Sequence, residues 1–204
     1  MADSINNTDS IWVDKYGVTY SADRRCLIKA PAGLEVYTVL DGTQIIAKNA
    51  FSAKTVNDST RKLKSIVLPD SLEVIGPFAF AGNKLLKTIV IPDNVSSIGK
   101  GAFMLCEELN SIHLPNKITI IPENTFLYSK LEHIEIPPNV ILIEHMAFVY
   151  CKDLKTITFY KENKPYIDTG AFVGCDSLNT FIIVDENSKS TKYGFQYHFK
   201  LAGY

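Results

Sequence analysis

The stretch LKTIVIPDNVSSIGKGAFMLC, residues 86–106, is followed after two residues by the related stretch LNSIHLPNKITIIPENTFLYS, residues 109–129. Both follow the pattern L-x-x-I-x-[IL]-P-x-x-[VL]-x-x-I-x-x-x-A-F-x-x-C with small departures. The leading leucine recurs at spacings of 22 to 24 residues, at Leu63, Leu86, Leu109, Leu131, Leu154 and Leu178. A period of this length is typical of a protein built from stacked structural repeats.

Within each copy, the segment L-x-x-I-x-I alternates apolar and other residues, which indicates a half-buried β-strand. The proline that follows has no N–H for a strand ladder, so it is expected to end the strand. A second short strand follows it. The A-F-x-x-C segment then predicts a tight turn or a 3₁₀-like corner that turns the phenylalanine inward.

One such coil cannot bury its apolar side chains, but stacked coils share a continuous core. The sequence therefore predicts a mainly β repeat solenoid with parallel strands on its concave face. The recurrent phenylalanines are expected to form one interior column, at Phe51, Phe80, Phe103, Phe126, Phe148 and Phe172.

The chain is expected to form a single solenoid domain over residues 1–204, with capping segments at both ends. Residues 11–33 predict a hairpin cap, and residues 34–62 a degenerate repeat with a polar insertion at residues 55–60. Residues 63–184 carry the regular repeats, and residues 185–204 predict a C-terminal cap with alternating aromatics at Tyr193, Phe195, Tyr197 and Phe199. An aromatic platform for a carbohydrate or protein is the alternative for those four residues.

Composition limits the classes of partner. The 204 residues carry a formal net charge of −1, so no strong positive field favours nucleic acid. The longest strictly apolar run, Met146–Cys151, is far shorter than the roughly 20 residues of a membrane span, so no membrane insertion is expected. The polar residues 1–9 show no export signal, which leaves a cytoplasmic chain and a trimmed exported chain both open.

The repeat pattern resembles that of the BspA-like leucine-rich repeat proteins of bacterial cell surfaces. Its most specific elements here are Ile98-Gly99 and Ala102-Phe103-x-x-Cys106, whereas Pro122 and Glu144 stand where the family pattern has glycine. The resemblance implies a right-handed solenoid without catalytic activity that serves adhesion or protein recognition. It also implies a location at the cell surface or outside the cell, with host extracellular-matrix or plasma proteins as partners.

The outward strand positions form two columns on the expected concave face. One column holds Ser65, Thr88, Ser111, His133, Thr156 and Thr180, and the other Val67, Val90, His113, Glu135, Thr158 and Ile182. Small hydroxyl and β-branched residues there suit a parallel sheet without any ligand. The candidate partner-binding residues are Ser111, His113, His133, Glu135, Thr156 and Thr158.

His113, His133 and Glu135 are the local anomaly, because neighbouring strands would bring two imidazoles and a carboxylate together. These groups are competent zinc ligands, but no fourth ligand is evident, so a pH-sensitive part of a protein-binding face is the preferred hypothesis. No catalytic motif is recognisable, and neither catalytic activity nor a cofactor is expected.

Cys106, Cys151 and Cys175 occupy the same corner position, which favours small buried side chains. Cys151 and Cys175 lie on adjacent coils but are expected to point in parallel, so both are predicted to be reduced thiols. The leading hypothesis for the whole chain is a noncatalytic recognition or adhesion module. A structural spacer or self-associating surface element is the alternative.

Overall fold

The computed structural model describes residues 11–53, 55, 58, 60–160, 164–185 and 188–194. In that part of the chain it contains seventeen β-strands and no helix. The strands are β1 (Ile11–Val13), β2 (Thr19–Ser21), β3 (Cys26–Lys29), β4 (Val36–Thr38), β5 (Ile45–Ile46), β6 (Ser65–Val67), β7 (Val74–Ile75), β8 (Thr88–Val90), β9 (Ser97–Ile98), β10 (Ser111–His113), β11 (Ile120–Ile121), β12 (His133–Glu135), β13 (Leu142–Ile143), β14 (Thr156–Tyr160), β15 (Tyr166–Ile167), β16 (Thr180–Asp185) and β17 (Ser188–Gly194).

Each repeat contributes one long strand to one side of the solenoid and one short strand to another, and the parallel pairing is interrupted within both sets. The long strands are β4, β6, β8, β10, β12, β14 and β16, and the short strands are β5, β7, β9, β11, β13 and β15. Equivalent residues of successive coils stand opposite each other, as Ile89 and Ile112 do in the long ladder and Ile46 and Ile75 in the short one. The structure thus confirms the predicted mainly β, parallel solenoid.

A single apolar core runs through the coils from Val18 to Phe181. Its axis is the predicted phenylalanine column, in which successive ring centroids lie 5.0 to 5.8 Å apart from Phe51 to Phe172. The interplanar angles stay at or below 25°, so these rings stack nearly parallel along the solenoid. Each coil therefore buries its phenylalanine mainly against its two neighbours, as stacked repeats require.

The corners are tight turns, one of the two expected geometries, and not 3₁₀ helices. Phe103 and Leu105 donate their backbone N–H groups to Thr125 and Leu127 of the next coil, whereas Met104 donates to Gly101 three residues earlier. Since every second N–H group points to the next coil, consecutive three-residue bonds cannot form, and the corner is a series of turns instead of a 3₁₀ helix. Left-handed backbone occurs at these corners, as at Leu105 (φ 59°) and Tyr128 (φ 60°).

The N-terminal end is closed by antiparallel strands. β1 pairs with β2 and β2 with β3, so the expected hairpin is present, and β3 continues into the short-strand ladder through β5. A buried chain of hydrogen bonds joins it to the first coil: the Tyr20 and Tyr37 hydroxyls lie 2.7 Å apart, and Tyr37 donates to Asp14 Oδ2 at 2.6 Å. Burial raises the pKa of both phenols, so both remain protonated donors.

At the other end, β17 pairs antiparallel with β16, the last strand of the long ladder. Phe195, Tyr197 and Phe199 lie outside the described residues, as does the side chain of Tyr193. The expected cap or aromatic platform at residues 185–204 therefore stays a prediction.

Candidate functional site

The long-strand face is the surface formed by the outward side chains of β4, β6, β8, β10, β12 and β14. In β6, β8 and β12 the central residue is buried and its two neighbours are exposed, as the alternation predicted. Of the six candidate residues, Ser111, His113, His133 and Glu135 are exposed, and Thr156 and Thr158 are half-buried. All six lie on this one face.

Pairing divides the six residues into two groups. His133 and Glu135 stand opposite Thr156 and Thr158 across the β12–β14 ladder. Ser111, on β10, instead stands opposite Thr88 of β8. The long strands are adjacent but not paired by backbone hydrogen bonds at two places, between β6 and β8 and between β10 and β12.

His113 and Glu135 each have their own partner. His113 Nε2 lies 3.6 Å from Asp93 Oδ1, and the Tyr160 hydroxyl donates a hydrogen bond to Glu135 Oε1. Among the residues that the structure describes, no three His, Cys, Asp or Glu side chains are grouped closely enough to hold a metal ion. The described residues therefore provide no set of zinc ligands at His113, His133 and Glu135. The pH-sensitive surface stays a hypothesis.

The interruption between β10 and β12, here called the open seam, coincides with a shorter connection in the sequence. In other repeats the leucine N–H closes a turn onto a residue three positions earlier, as Leu109 does onto Cys106 and Leu154 onto Cys151. Only Lys130 separates Ser129 from Leu131, so the same turn is one residue short and the chain enters β12 by a different path. β8 follows a full turn, from Asn83 to Leu86, and is likewise not paired with β6, so a short turn is not the only arrangement that leaves long strands unpaired.

A second interruption in the same repeat lies on the opposite side of the solenoid. Gly99 and Glu144 donate their N–H groups to Ile75 and Ile121 of the preceding coil. Pro122 occupies the equivalent position but has no N–H to donate, and β9 and β11 are not paired. The repeat from Leu109 to Ser129 thus stands at a weakened joint in both ladders.

A cleft of about 240 Å³ lies on the long-strand face over β8 and β10, beside the open seam. Residues of these two paired strands make up most of its lining, and Glu135, Pro137 and Tyr160 lie on the seam side. Ser111, His113 and Glu135 line this cleft, whereas His133, Thr156 and Thr158 do not. The sequence thus identified three of its polar groups, while Asn116 and Tyr160 were missed because their positions lie beyond the strand pattern.

Two exposed valines lie in one outward column near the N-terminal end of the same face. Val67 on β6 and Val90 on β8 are 55% and 69% exposed. Val36 on β4 is 64% exposed but stands opposite Ser65, in the other column, and Thr38 stands opposite Val67. Val67 and Val90 were placed in an outward column from the sequence, but neither was chosen as a binding residue, although adjacent exposed apolar side chains can mark an interaction surface.

Ion pairs between successive coils neutralise the N-terminal edge of the long strands. Lys64 contacts Glu35 and Lys155 contacts Glu132, each with an N–O distance of 2.7 Å. Hydrogen bonds from these lysines lower the pKa of Glu35 and of Glu132. Lys64, Lys87 and Lys155 each follow the leading leucine of their repeat. Because two of these three lysines are paired with glutamates, the edge is not a continuous basic stripe.

The corner cysteines are structural. Cys106, Cys151 and Cys175 each donate a thiol hydrogen bond to the carbonyl oxygen of a phenylalanine one coil earlier, at 3.0 to 3.3 Å. All four cysteines of the chain are free thiols, which agrees with the reduced state predicted for Cys151 and Cys175. These thiols satisfy a buried carbonyl in each coil.

We expect Cys106 to resist alkylation until the protein unfolds. Burial raises the pKa of its thiol to about 12, so almost no reactive thiolate exists at pH 8. Treatment with iodoacetamide followed by mass spectrometry should leave Cys106 unmodified in the native protein and label all four cysteines in urea. Rapid native labelling of Cys106, or a Cys151–Cys175 disulfide in the nonreduced sample, would contradict this assignment.

The described part of the chain contains no helix with the length and apolarity that a membrane span requires.

The sequence model of the BspA type leucine rich repeat region matches residues 83–202, with six copies. No curated protein gives a significant match to the chain.

Three solved structures share the fold. A leucine-rich repeat protein from Eubacterium ventriosum is 22% identical with a TM-score of 0.71, and the match covers 95% of this chain and 54% of that one. A leucine-rich repeat protein from T. pallidum is 22% identical with a TM-score of 0.66, covering 91% and 84%. The pneumococcal vaccine antigen PcpA is 25% identical with a TM-score of 0.55, covering 89% and 44%. The chain thus spans about half the length of the first of these proteins.

Proposed function

Because the chain belongs to the BspA-type leucine-rich repeat family, we propose that it is a noncatalytic recognition module that binds a protein partner on the long-strand face. Leucine-rich repeat proteins are commonly protein-interaction modules and are typically noncatalytic. The single observation that carries the proposal is the face itself. It combines the exposed pair Val67 and Val90, a cleft with polar groups and the six candidate residues on parallel strands of successive coils.

The chemistry of this face suits a protein surface. Protein interfaces combine an apolar centre with polar groups at the rim. Here Val67 and Val90 supply apolar area, while Ser111, His113 and Glu135 supply hydrogen-bonding groups beside it. Extended contact over several coils would supply the affinity, as in other solenoids.

The family resemblance also supports a location at the cell surface or outside the cell, and a host extracellular-matrix or plasma protein as partner. These finer assignments belong to the proposal. Protease treatment of intact source cells tests the location: digestion of the protein without lysis supports surface exposure, and protection contradicts it.

Binding to a panel of purified extracellular proteins tests the function. We expect the panel to contain a partner that the double variant His133→Ala, Glu135→Ala binds at least about tenfold more weakly, a loss of about 1.4 kcal/mol. The affinity should fall because both exposed side chains lie on the proposed face. The matched control is Glu73→Ala, Ser97→Ala, which removes two exposed side chains on the short-strand side. Equal binding by both double variants would contradict the assignment of the face.

Light scattering on the same variants separates this proposal from the spacer alternative. A recognition module should keep its oligomeric mass when substitutions on the face abolish partner binding. Loss of self-association in the face variants, without any captured protein, would support the spacer or self-associating element instead.

A further inference from the structure

We propose that the cleft at the open seam binds a basic side chain, arginine or lysine, presented by the protein partner. This inference rests on the proposed recognition function and assigns the chemistry of its anchoring contact. A basic side chain is the expected occupant because the Glu135 carboxylate lines the cleft and Asp93 lies beside the lining residue His113.

Backbone groups along the seam lack the hydrogen-bond partners that paired long strands provide. In the regular part of the ladder, Ile91 N–H donates to His113 O, and Ile136 N–H donates to Thr158 O at 2.9 Å. Leu114 is the equivalent donor on β10, and its partner would be the Glu135 carbonyl, but no such bond occurs among the described residues. Carbonyl groups that other coils use for pairing therefore lack that backbone partner along this gap, as they also do between β6 and β8.

Backbone N–H groups face the same gap, so the seam alone could accept either a donor or an acceptor. The side chains decide between these possibilities. The Glu135 carboxylate lines the cleft, and Asp93 lies 3.6 Å from His113, which also lines it. A carboxylate in the cleft and a second one beside a lining residue favour a cation and repel an acidic group.

Among the described residues, no lysine or arginine forms an ion pair with either carboxylate. Asp93 pairs with His113, and Glu135 accepts a hydrogen bond from the uncharged Tyr160 hydroxyl. Lys130 and Lys155, which flank Glu135 in sequence, pair with Glu108 at 3.5 Å and with Glu132 at 2.7 Å. A basic side chain of the partner can therefore pair with the Glu135 carboxylate.

The wall of the cleft also suits the stem of a long basic side chain. Val90 lines the cleft and is largely exposed, with Val67 on the preceding long strand. Arginine and lysine bury their methylene groups on apolar surface while the charged head reaches polar groups. A methylene stem over Val90 would place the cationic head at the seam, beside Glu135 and the open carbonyl groups.

The test is a titration of the ¹⁵N-labelled full chain with Nα-acetyl-arginine methylamide, followed by amide chemical shifts. We expect saturable shifts confined to residues 111–116 and 133–137. The neutral isostere Nα-acetyl-citrulline methylamide should bind at least about tenfold more weakly, because it lacks the charge that the carboxylates attract. Nα-acetyl-glutamate and a neutral monosaccharide provide the acidic and glycan comparisons.

The decisive variant is Glu135→Gln, which keeps the shape of an exposed side chain and removes its charge. We expect it to weaken the arginine probe about tenfold. The matched control, Glu73→Gln, removes an exposed carboxylate on the short-strand side and should leave the titration unchanged. Equal binding of the citrulline probe, preference for the monosaccharide, absence of saturable shifts, or full binding by Glu135→Gln would each overturn the proposal.

A second variant tests the seam. Insertion of one glutamate after Ser129 restores the turn length found between Cys106 and Leu109. We expect β12 to pair with β10, the Leu114 amide to exchange its hydrogen at least about tenfold more slowly, and the arginine probe to be lost although Glu135 remains. Retained binding with a protected Leu114 amide would overturn the location. The Glu135→Gln comparison decides the proposal even where the insertion leaves the seam open.

These outcomes are separable from those of the protein panel. An arginine probe that binds at the seam, with no panel protein captured, would support this inference and count against the proposed partner classes. A captured protein that contacts the face, with no arginine binding, would support the function and overturn this inference.

Discussion

Replacement of Phe126 by alanine is expected to lower the free energy of unfolding by about 3–5 kcal/mol. The Phe126 ring is fully buried, with its centroid 5.8 Å from that of Phe103 and 5.2 Å from that of Phe148. Its removal leaves a cavity between two coils, and neither neighbouring ring can fill that cavity without leaving its own stack. Urea denaturation monitored by circular dichroism measures the loss.

Phe126→Leu is the matched control, since it keeps most of the apolar volume. We expect it to cost less than half as much as the alanine variant. A loss below 1 kcal/mol for Phe126→Ala would show that the column does not carry the stability assigned to it here.

Gly99→Ala is expected to destabilise the fold by about 3 kcal/mol, the upper part of the usual range for overpacking. A Cβ at this position would lie 2.3 Å from the backbone nitrogen of Pro77 and 2.7 Å from the carbonyl carbon of Gly76. Backbone atoms cannot rotate aside as a side chain can. The coils would have to separate, which would also lengthen the hydrogen bond from Gly99 N to Ile75 O, now 2.7 Å.

Gly42→Ala separates crowding from backbone conformation. No atom lies within 4 Å of a Cβ at Gly42, but its φ is +86°, so we expect a loss of about 1–2 kcal/mol from backbone strain alone. Thermal and urea unfolding of the two variants in parallel provide the comparison. A smaller effect at Gly99 than at Gly42 would contradict the close approach of the two coils.

The requirement for glycine at this repeat position could not be predicted from the pattern alone. Glu144 occupies the equivalent position with a Cβ, and its backbone still bonds to Ile121 of the preceding coil. Its carboxylate accepts a hydrogen bond from the Glu123 N–H at 2.8 Å. Local coil spacing, and not the repeat as such, therefore decides whether a side chain fits.

The candidate site, too, could be predicted only in part from the sequence. His113, His133 and Glu135 were predicted to be neighbours because register follows from the repeat. The structure places His113 and Glu135 at one cleft, and His133, on the same strand as Glu135, is not among its lining residues. The residue missing from the turn before Leu131 is visible in the sequence, but its effect on pairing depends on how two coils meet.

The period of the leucines, prolines and phenylalanines was sufficient to predict the parallel coils, the outward columns and the stacked core. Each of these features follows from side-chain periodicity within one repeat and from the need of every repeat to cover its apolar side chains. The open seam, the partners of His113 and Glu135, and the crowding at Gly99 arise from distances between coils. Those distances depend on small differences between neighbouring repeats, which only the packed molecule brings into contact.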